Sequence, residues 1–427
     1  MAMKKTRLPW ENEVNEDWST ARIKYNYYLK GRIGWQGLKA DEFIDDGPFL
    51  VTGTDFKNGR VNWETCYHIS NERYEEAPEI HVQSGDLLVT KDGTIGKTAY
   101  IEDKPDKVSL NSHLLLMRPL NELYSNRFLF WVINSPVFEK YYNYSQTGTI
   151  MASLSQEKIS NFIYYMPDIG EQNKIASYLD DRCSRLDELI TEAEKSIEEY
   201  KELKQAVIFE AVTKGLDENA PLKDSGIKWI GDIPSHWLVK KFKYVASVNA
   251  NLVSPDDYMD YQQIAPDCIE KDSGRLIKER TVSDAGVESW NQLFHKGQLI
   301  YSKIRPILNK VIIAPYDGLC SADMYPLDVV EDIEFVQKAM LSRYFVDQVG
   351  LITQDRVKMP KINKEELANI YMAIPPRNEQ VEIVKYLVIR MADFDEIIDK
   401  KQSLIEDLQA YKKSLIYEVV TGKRRVV

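Results

Sequence analysis

The sequence predicts an α+β protein in which two mixed α/β domains are joined by two long antiparallel helices, which form a coiled coil with pseudo-two-fold internal symmetry. Three observations lead to this fold class: one stretch is written twice, its apolar residues have helical spacing, and a mixed segment precedes each copy. The first copy runs from Pro167 to Thr213 and the second from Pro375 to Thr421, so matching positions lie 208 residues apart. Because one shift aligns both ends without a gap, the chain contains an internal duplication.

The duplicated stretch has the pattern of one face of a helix. Apolar residues recur at steps of three and four from Ile175 to Ala211, and again from Ile383 to Val419, where only Lys401 breaks the pattern; no Pro or Gly interrupts either run. Forty helical residues make a rod of about 60 Å, and a lone rod of that length cannot bury its apolar stripe. Two such rods can bury each other's stripe as a coiled coil. The alternative is a helix that lies along its own domain.

The segments before the two copies read as mixed α+β domains. In the first, short apolar runs at 48–51, 86–89, 98–101 and 114–117 predict strands, and the aromatic-rich piece 128–142 predicts a helix. The second repeats this plan with much less identity. We therefore expect four parts, with boundaries listed here: a first domain at 1–153, a first helical region at 154–215, a second domain at 216–361 and a second helical region at 362–427.

Composition restricts the class of protein. Hydrophobic residues make up 44% of the chain, which suffices for folded cores, and the four cysteines stand far apart without a CxxC pair. A disulfide framework or a zinc site of paired cysteines is therefore not expected, and a reducing cytoplasm is the simplest location. The sequence shows no signal-peptide pattern and no apolar run of membrane-spanning length, so we expect no membrane contact.

Net charge leaves the question of nucleic acid open. A formal charge of −11 argues against a phosphate-binding protein, because phosphate contacts require Lys and Arg. However, the windows 18–40, 233–255 and 289–316 contain basic residues and no acidic ones. Windows of this size also arise by chance in a long chain, so charge alone decides neither way.

Several segments together resemble the specificity subunit of type I restriction–modification systems. They are the paired Pro…Glu-Gln repeats at 167–172 and 375–380 with their long helices, the entry segment 225–237, and the segments 93–97 and 357–362. The resemblance covers nearly the whole chain, although the first entry, at 8–18, departs from the fuller pattern at 225–237. It implies two target-recognition domains, each of which reads one half of a bipartite site in double-stranded DNA.

The resemblance also implies partners. The antiparallel helices would act as a ruler between the half-sites and as the dock for two methyltransferase subunits, through which restriction and translocase subunits join. Tyr178 and Tyr386, at equivalent positions of the two helices, are the expected partner-binding residues. A solvated helix face explains the charged residues around them equally well.

The candidate DNA-binding residues are basic or amide side chains, with one threonine, near the loops of each domain, since loops on a rigid scaffold often carry recognition residues. Each of them could instead be an ordinary solvated side chain. In the first domain they are Lys30, Arg32, Lys91, Lys97, Gln146 and Thr147. In the second domain they are Lys303, Arg305, Lys310, Gln354, Arg356 and Lys358.

Catalytic patterns are weak. The segment 93–98 lacks the first Gly of a phosphate-binding loop and leads into a strand-like run instead of a helix. Asp168, Glu199 and Lys201 imitate a nuclease motif, but they are spread along one predicted helix, and the five histidines lack metal-ligand spacing. We therefore predict a non-catalytic subunit with no cofactor and no metal. The alternatives are a coiled-coil adaptor with two protein-binding domains and, third, a nuclease or methyltransferase.

Overall fold

The computed structural model describes residues 2–32, 37–92, 96–146, 154–356 and 358–426. Their contacts divide the chain into two compact units, the first formed by 1–193 with 403–427 and the second by 194–402. The helices are α1 Ile23–Asn26, α2 Asn71–Glu75, α3 Asn126–Ile133, α4 Pro136–Ser145, α5 Gln156–Asn161, α6 Ile169–Lys214, α7 Ile333–Leu341, α8 Arg343–Thr353, α9 Lys364–Ala368 and α10 Arg377–Val420.

The two long helices, α6 and α10, confirm the duplicated helix. They begin at equivalent positions, 169 and 377. At the start of α6 the Asp168 carboxylate accepts a hydrogen bond from the Glu171 backbone N–H at 3.0 Å, which satisfies a donor that the helix itself leaves free. Gly215 and Gly422 follow the two helices with φ of +76° and +68°, the left-handed conformation that ends many helices.

The first unit contains thirteen strands among the residues that the structure describes. They are β1 Met3–Lys5, β2 Glu13–Asn15, β3 Ser19–Arg22, β4 Tyr27–Lys30, β5 Ile44–Val51, β6 Phe56–Lys57, β7 Arg60–Val61, β8 Tyr67–His68, β9 Leu87–Thr90, β10 Thr98–Tyr100, β11 Val108–Leu110, β12 Leu114–Pro119 and β13 Ile163–Met166. The largest sheet is antiparallel, in the order β10-β9-β12-β4, and a second sheet, β11-β5-β8, contains the parallel pair β5 and β11.

The second unit repeats this plan. Its strands are β14 Leu222–Asp224, β15 Asp232–Pro234, β16 Leu238–Lys241, β17 Ala246–Val248, β18 Leu252–Val253, β19 Gln262–Ile264, β20 Asn291–Phe294, β21 Leu299–Ser302, β22 Val311–Ile313, β23 Gly318–Cys320, β24 Met324–Val329 and β25 Tyr371–Ile374. The antiparallel sheet β22-β21-β24-β17 corresponds to β10-β9-β12-β4, and β19 with β23 forms the parallel pair. The sheet that contains this parallel pair has four strands, β18-β20-β23-β19, whereas its counterpart in the first unit has three. The two units therefore differ outside the antiparallel sheet that they share.

Within each unit a part of α6 packs antiparallel against a part of α10. In the first unit Lys412 donates to the Asp187 carboxylate at 2.6 Å, while Arg424, beyond the end of α10, faces Tyr178 near the start of α6. In the second unit Lys204 forms an ion pair with Asp395. Because 187 and 395 are equivalent positions, as are 204 and 412, the same ion pair is made once in each unit.

The helices also complete the cores of the domains. In the first unit Leu179 and Cys183 of α6 and Leu415 and Val419 of α10 belong to one apolar cluster with Phe128 of the domain. The second unit builds its cluster in the same way from residues of α6, α10 and its own domain. The apolar stripe of each helix is therefore buried partly by the other helix and partly by a domain. The predicted coiled coil describes the first part of this packing, and the alternative of a helix that lies along its own domain describes the second.

Candidate nucleic-acid interface

The repeated Glu-Gln pair joins each domain to the start of its long helix. Gln172 is fully buried; its Oε1 accepts from the Ser125 N–H at 2.9 Å, and its Nε2 donates to the carbonyls of Leu123 and Pro167, both at 3.0 Å. Ser125 is the residue that caps α3. The glutamine thus ties the start of α6 to the loop that opens α3, and it fixes the angle at which the domain meets the helix.

Gln380 makes the equivalent joint in the second unit. Its Oε1 accepts from the N–H of Asp332, which caps α7, at 2.9 Å, and its Nε2 donates to the Pro375 carbonyl at 2.9 Å and to Glu331 at 3.0 Å. The neighbouring Glu379 accepts from Trp237 Nε1 at 2.9 Å and contacts His236 Nε2 at 2.8 Å. The sequence indicated that this pair is repeated, but only the structure shows its role as a clasp.

In the first domain the predicted residues Lys30 and Lys91 lie at one end of the sheet β10-β9-β12-β4. Lys30 is exposed at the end of β4 opposite Leu116 of β12. The backbone N–H of Lys91 donates to the His113 carbonyl at 2.9 Å, and its carbonyl accepts from the Leu154 N–H at 3.0 Å. Two of the predicted basic residues are therefore gathered beside the segment that leads into α5.

Lys97 closes the turn that Lys91 opens. Its N–H donates to Thr90 Oγ1 at 3.0 Å, and its carbonyl accepts from the Thr90 N–H at 2.9 Å. The residues 93–95 of this turn lie outside the described residues. The strand β10 follows the turn directly. This confirms the predicted strand at 98–101, where a phosphate-binding loop would be followed by a helix.

Arg32 is buried, with 3% of its surface exposed. Its Nε donates to the Leu110 carbonyl at 2.7 Å and its Nη2 to Ser109 Oγ at 2.9 Å, so the guanidinium links the chain after β4 to β11. Burial lowers the pKa of this guanidinium, because the charged form loses hydration there. In this arrangement Arg32 supports the sheet edge that carries Lys30.

Gln146 is half-buried at the end of α4, and its Oε1 accepts from Lys158 Nζ at 3.1 Å. Thr147, the next predicted residue, lies outside the described residues.

In the second domain Lys303 and Lys310 occupy the places of Lys91 and Lys97. The Lys303 ammonium donates to the Ala322 carbonyl at 2.6 Å, and the Lys310 ammonium donates to the Pro266 carbonyl at 2.6 Å. The Lys303 carbonyl accepts from the Ile362 N–H at 2.9 Å, which repeats the contact that Lys91 makes in the first domain. The ammonium groups of both lysines are thus hydrogen-bonded to carbonyls of their own domain.

The other four predicted residues of the second domain are exposed. Three of them follow α8 closely in the chain, and a backbone hydrogen bond connects the fourth, Arg305, to the same segment. Arg356 forms an ion pair with Glu366, whereas Gln354 and Lys358 lie on the surface after α8. Arg305 is joined to this segment because its N–H donates to the Pro360 carbonyl at 2.7 Å. The turn after β21 and the loop after α8 therefore form one surface.

The predicted partner residues differ in environment. Tyr178 is half-buried, with the Arg182 guanidinium over its ring at 5.6 Å, whereas Tyr386 is exposed. Beside Tyr386, Val388 and Ile389 are also exposed, with 53% and 65% of their surface accessible. These two apolar residues were not among the residues predicted from the sequence.

The described residues contain no cluster of three or more His, Cys, Asp or Glu side chains that could hold a metal ion. Asp168 caps its helix, and Lys201 pairs with Glu198, so the residues of the nuclease-like pattern have local helical partners. No helix in the described part of the chain is long and apolar enough to cross a bilayer.

Comparison with known proteins agrees with this architecture. Residues 35–199 match the family described as the type I restriction modification DNA specificity domain. The specificity subunit of the type I restriction enzyme EcoDI from Escherichia coli is 30% identical over 316 residues, which cover 70% of each chain. The MjaVIII specificity subunit from Methanocaldococcus jannaschii is 25% identical over 432 residues, which cover 97% of this chain and 94% of the relative.

Two solved structures have a similar fold. A chain from a structural study of complex assembly and conformational transition in the type I R-M system aligns with a TM-score of 0.70 at 14% identity, over 96% of this chain and 99% of its own. The HsdS subunit from Thermoanaerobacter tengcongensis aligns with a TM-score of 0.51 at 13% identity, over 96% and 98%. These likenesses concern the fold alone.

Proposed function

Because the chain belongs to the family of type I restriction–modification specificity subunits, we propose that it recognises a bipartite, asymmetric sequence in double-stranded DNA. Each domain reads one half-site, and the duplicated helices set the number of unread base pairs between the halves. We propose recognition domains at 1–153 and 216–361 and helical regions at 154–215 and 362–427, the boundaries expected from the sequence.

The observation that carries this proposal is one loop cluster built twice with different residues. In both units the turn after the second strand of the four-stranded sheet lies against the segment that leads back to the long helix, through the bonds Leu154 N–H to Lys91 and Ile362 N–H to Lys303. The backbone scaffold and its two lysines are shared, but the side chains between the lysines differ. A protein that reads two unlike sequences with one scaffold requires this combination.

We propose direct contacts to DNA for the exposed members of the predicted set that form no ion pair among the described residues. Lys30 in the first domain, and Arg305, Gln354 and Lys358 in the second, are exposed to solvent. Lys91, Lys97, Gln146, Lys303 and Lys310 line the same loops with partly buried side chains, and we propose phosphate contacts for the lysines among them. Arg32 and Arg356 would act indirectly, since Ser109 and Leu110 hold the first and Glu366 holds the second. Thr147 remains a proposal from the sequence.

Methyltransferase subunits are the proposed protein partners, two of them, and restriction and translocase subunits would join through them. We propose that one docks on the face of α10 that exposes Tyr386 and Ile389, because these two exposed apolar side chains lie three residues apart and therefore on the same side of the helix. Tyr178 is the proposed contact on α6.

The chain would contribute recognition and no chemistry. Methyl transfer needs a methyl-donor site, and the sequence contains neither an adenine-methylation motif nor a glycine-rich dinucleotide loop. We place the complex in the cytoplasm. All four cysteines are free and buried, which suits a reducing compartment.

The test is to map methylated bases in the DNA of cells that express the methyltransferase subunits with this chain and, as the control, without it. The proposal expects methylation at two short, dissimilar half-sites with a constant gap, and only when this chain is present. Methylation that is independent of the chain would refute the proposal. A complex that shifts specific and competitor DNA equally would favour the coiled-coil adaptor.

A further inference from the structure

The turn between β21 and β22 holds an arginine in a backbone conformation that arginine rarely adopts. Arg305 has φ of 43° and ψ of 53°, in the left-handed region. Among the residues that the structure describes, the other non-glycine residues with positive φ are Asn58, Asp272 and Asn309. Asn and Asp tolerate this region because their short side chains bond locally, but Arg has no such compensation. Such outliers cluster at functional sites.

The first domain uses glycine in the equivalent turn. Counting from the equivalent lysines, Lys91 and Lys303, Gly93 stands in the sequence where Arg305 stands. Counting back from the following strands, Gly96, with φ of +77°, corresponds to Asn309, with φ of +46°. Glycine would adopt the left-handed backbone conformation of this turn without strain. The second domain nevertheless has arginine at position 305.

Backbone contacts fix the turn so that it presents this side chain. The Arg305 N–H donates to the Pro360 carbonyl at 2.7 Å, and its carbonyl accepts from the Leu308 N–H at 2.8 Å. A bridge between Ile304 and Lys361 joins the same two segments. The direction of the Arg305 Cα–Cβ bond is thus set by the scaffold before any ligand binds, which reduces the backbone entropy lost on binding.

The Arg305 guanidinium is exposed and has no hydrogen-bond or ion-pair partner among the described residues. This sets it apart from Lys303, Lys310 and Arg356, whose charged groups bond to the domain itself. Of the carboxylates near this surface, Asp323 pairs with Lys361 at 3.0 Å and Glu366 pairs with Arg356, while Asp355 is exposed.

The surface around Arg305 combines exposed apolar side chains with a second basic side chain. Ile307, Leu351 and Met359 are each about half exposed, and Lys358 lies beside them. Isolated apolar residues are common on surfaces, but three around an unpaired guanidinium suit the edges of base pairs. The major groove offers guanine O6 and N7 to a bidentate arginine and thymine methyl groups to apolar side chains.

We propose that Arg305 is the specificity-determining residue of the second half-site and reads a guanine through paired hydrogen bonds to O6 and N7 in the major groove. This inference rests on the proposed function and names one residue and one base class within it. Lysine is a poorer reader of guanine there, because its ammonium lacks the planar fork that matches the two acceptors.

The test uses the full chain in complex with its methyltransferase subunits, and native protein first defines both half-sites by methylation mapping. Arg305→Gly and Arg305→Lys are then compared with native protein by competitive binding to DNA randomised within the second half-site. We expect the preference for guanine at one position to fall by roughly 5- to 150-fold in both variants, while the first half-site stays unchanged. Arg305→Gly should fold normally, because glycine suits a positive φ.

Lys358→Ala is the matched control, because Lys358 is an exposed cation on the same surface. A phosphate contact predicts weaker binding to all sequences and a smaller salt dependence, without a change in base preference. Unchanged base preference in Arg305→Gly would overturn the inference, as would uniform weakening like that of the control or loss of the methyltransferase subunits. If the native complex itself showed no bipartite preference, the proposed function would fall as well; a native preference that both variants retain would overturn only the role of Arg305.

Discussion

Replacing Gln172 by alanine tests the clasp between helix and domain. The substitution removes three hydrogen bonds to backbone groups from a fully buried side chain, and it leaves the Ser125 N–H and the carbonyls of Leu123 and Pro167 without this partner. A buried polar group left unsatisfied costs about 1–3 kcal/mol, and carbonyls with a second lone pair lie at the low end. We expect the free energy of unfolding to fall by roughly 2–5 kcal/mol.

Urea unfolding, followed by circular dichroism at equilibrium, measures this change. Asn173→Ala is the matched control, because Asn173 is exposed on the same turn of α6, and its effect should stay within about 0.5 kcal/mol. Gln380→Ala should destabilise the second unit by a similar amount, since Gln380 makes the equivalent contacts. A loss below about 0.5 kcal/mol for Gln172→Ala would refute the clasp.

Three further predictions concern the helices and the cysteines. A double-mutant cycle on Asp187 and Lys412, with alanine at each position, should give a coupling free energy of about 0.2–1 kcal/mol in urea unfolding. The value is small because both side chains are partly solvated. A coupling free energy of zero would contradict the ion pair. Ile389→Asp should weaken methyltransferase binding in a pull-down, whereas Lys385→Ala should not; equal binding by both would remove this face as the dock. Burial raises the pKa of Cys66 and of Cys183 to about 12, so both thiols should react with iodoacetamide at pH 8 only after unfolding; rapid labelling of native protein would contradict their burial.

The long helices were predictable because periodicity is a local property of the sequence. A repeat with apolar residues at steps of three and four specifies a buried face, and both helices start at equivalent positions. Periodicity does not specify what buries that face. The packing of Leu415 and Val419 against the first domain therefore needed the structure, because it joins residues more than two hundred positions apart in the chain.

The candidate site was less predictable from the sequence. Arg32 and Lys30 both lie in the same acid-free stretch, yet one is buried and the other is exposed, since sheet geometry and not charge decides between them. Arg305 was among the predicted residues, but its left-handed backbone was not predicted. Only its alignment with Gly93 of the first domain could have indicated that conformation before the structure.

The most direct test of the account deletes one heptad at equivalent positions of both helices, 192–198 and 400–406, and maps the methylated sequence. Seven helical residues span about 10 Å, which corresponds to about three base pairs of duplex DNA. We expect a variant with native helical content to keep both half-sites and to shorten the gap by about three base pairs. An unchanged gap in such a variant would contradict the claim that the helices determine the spacing.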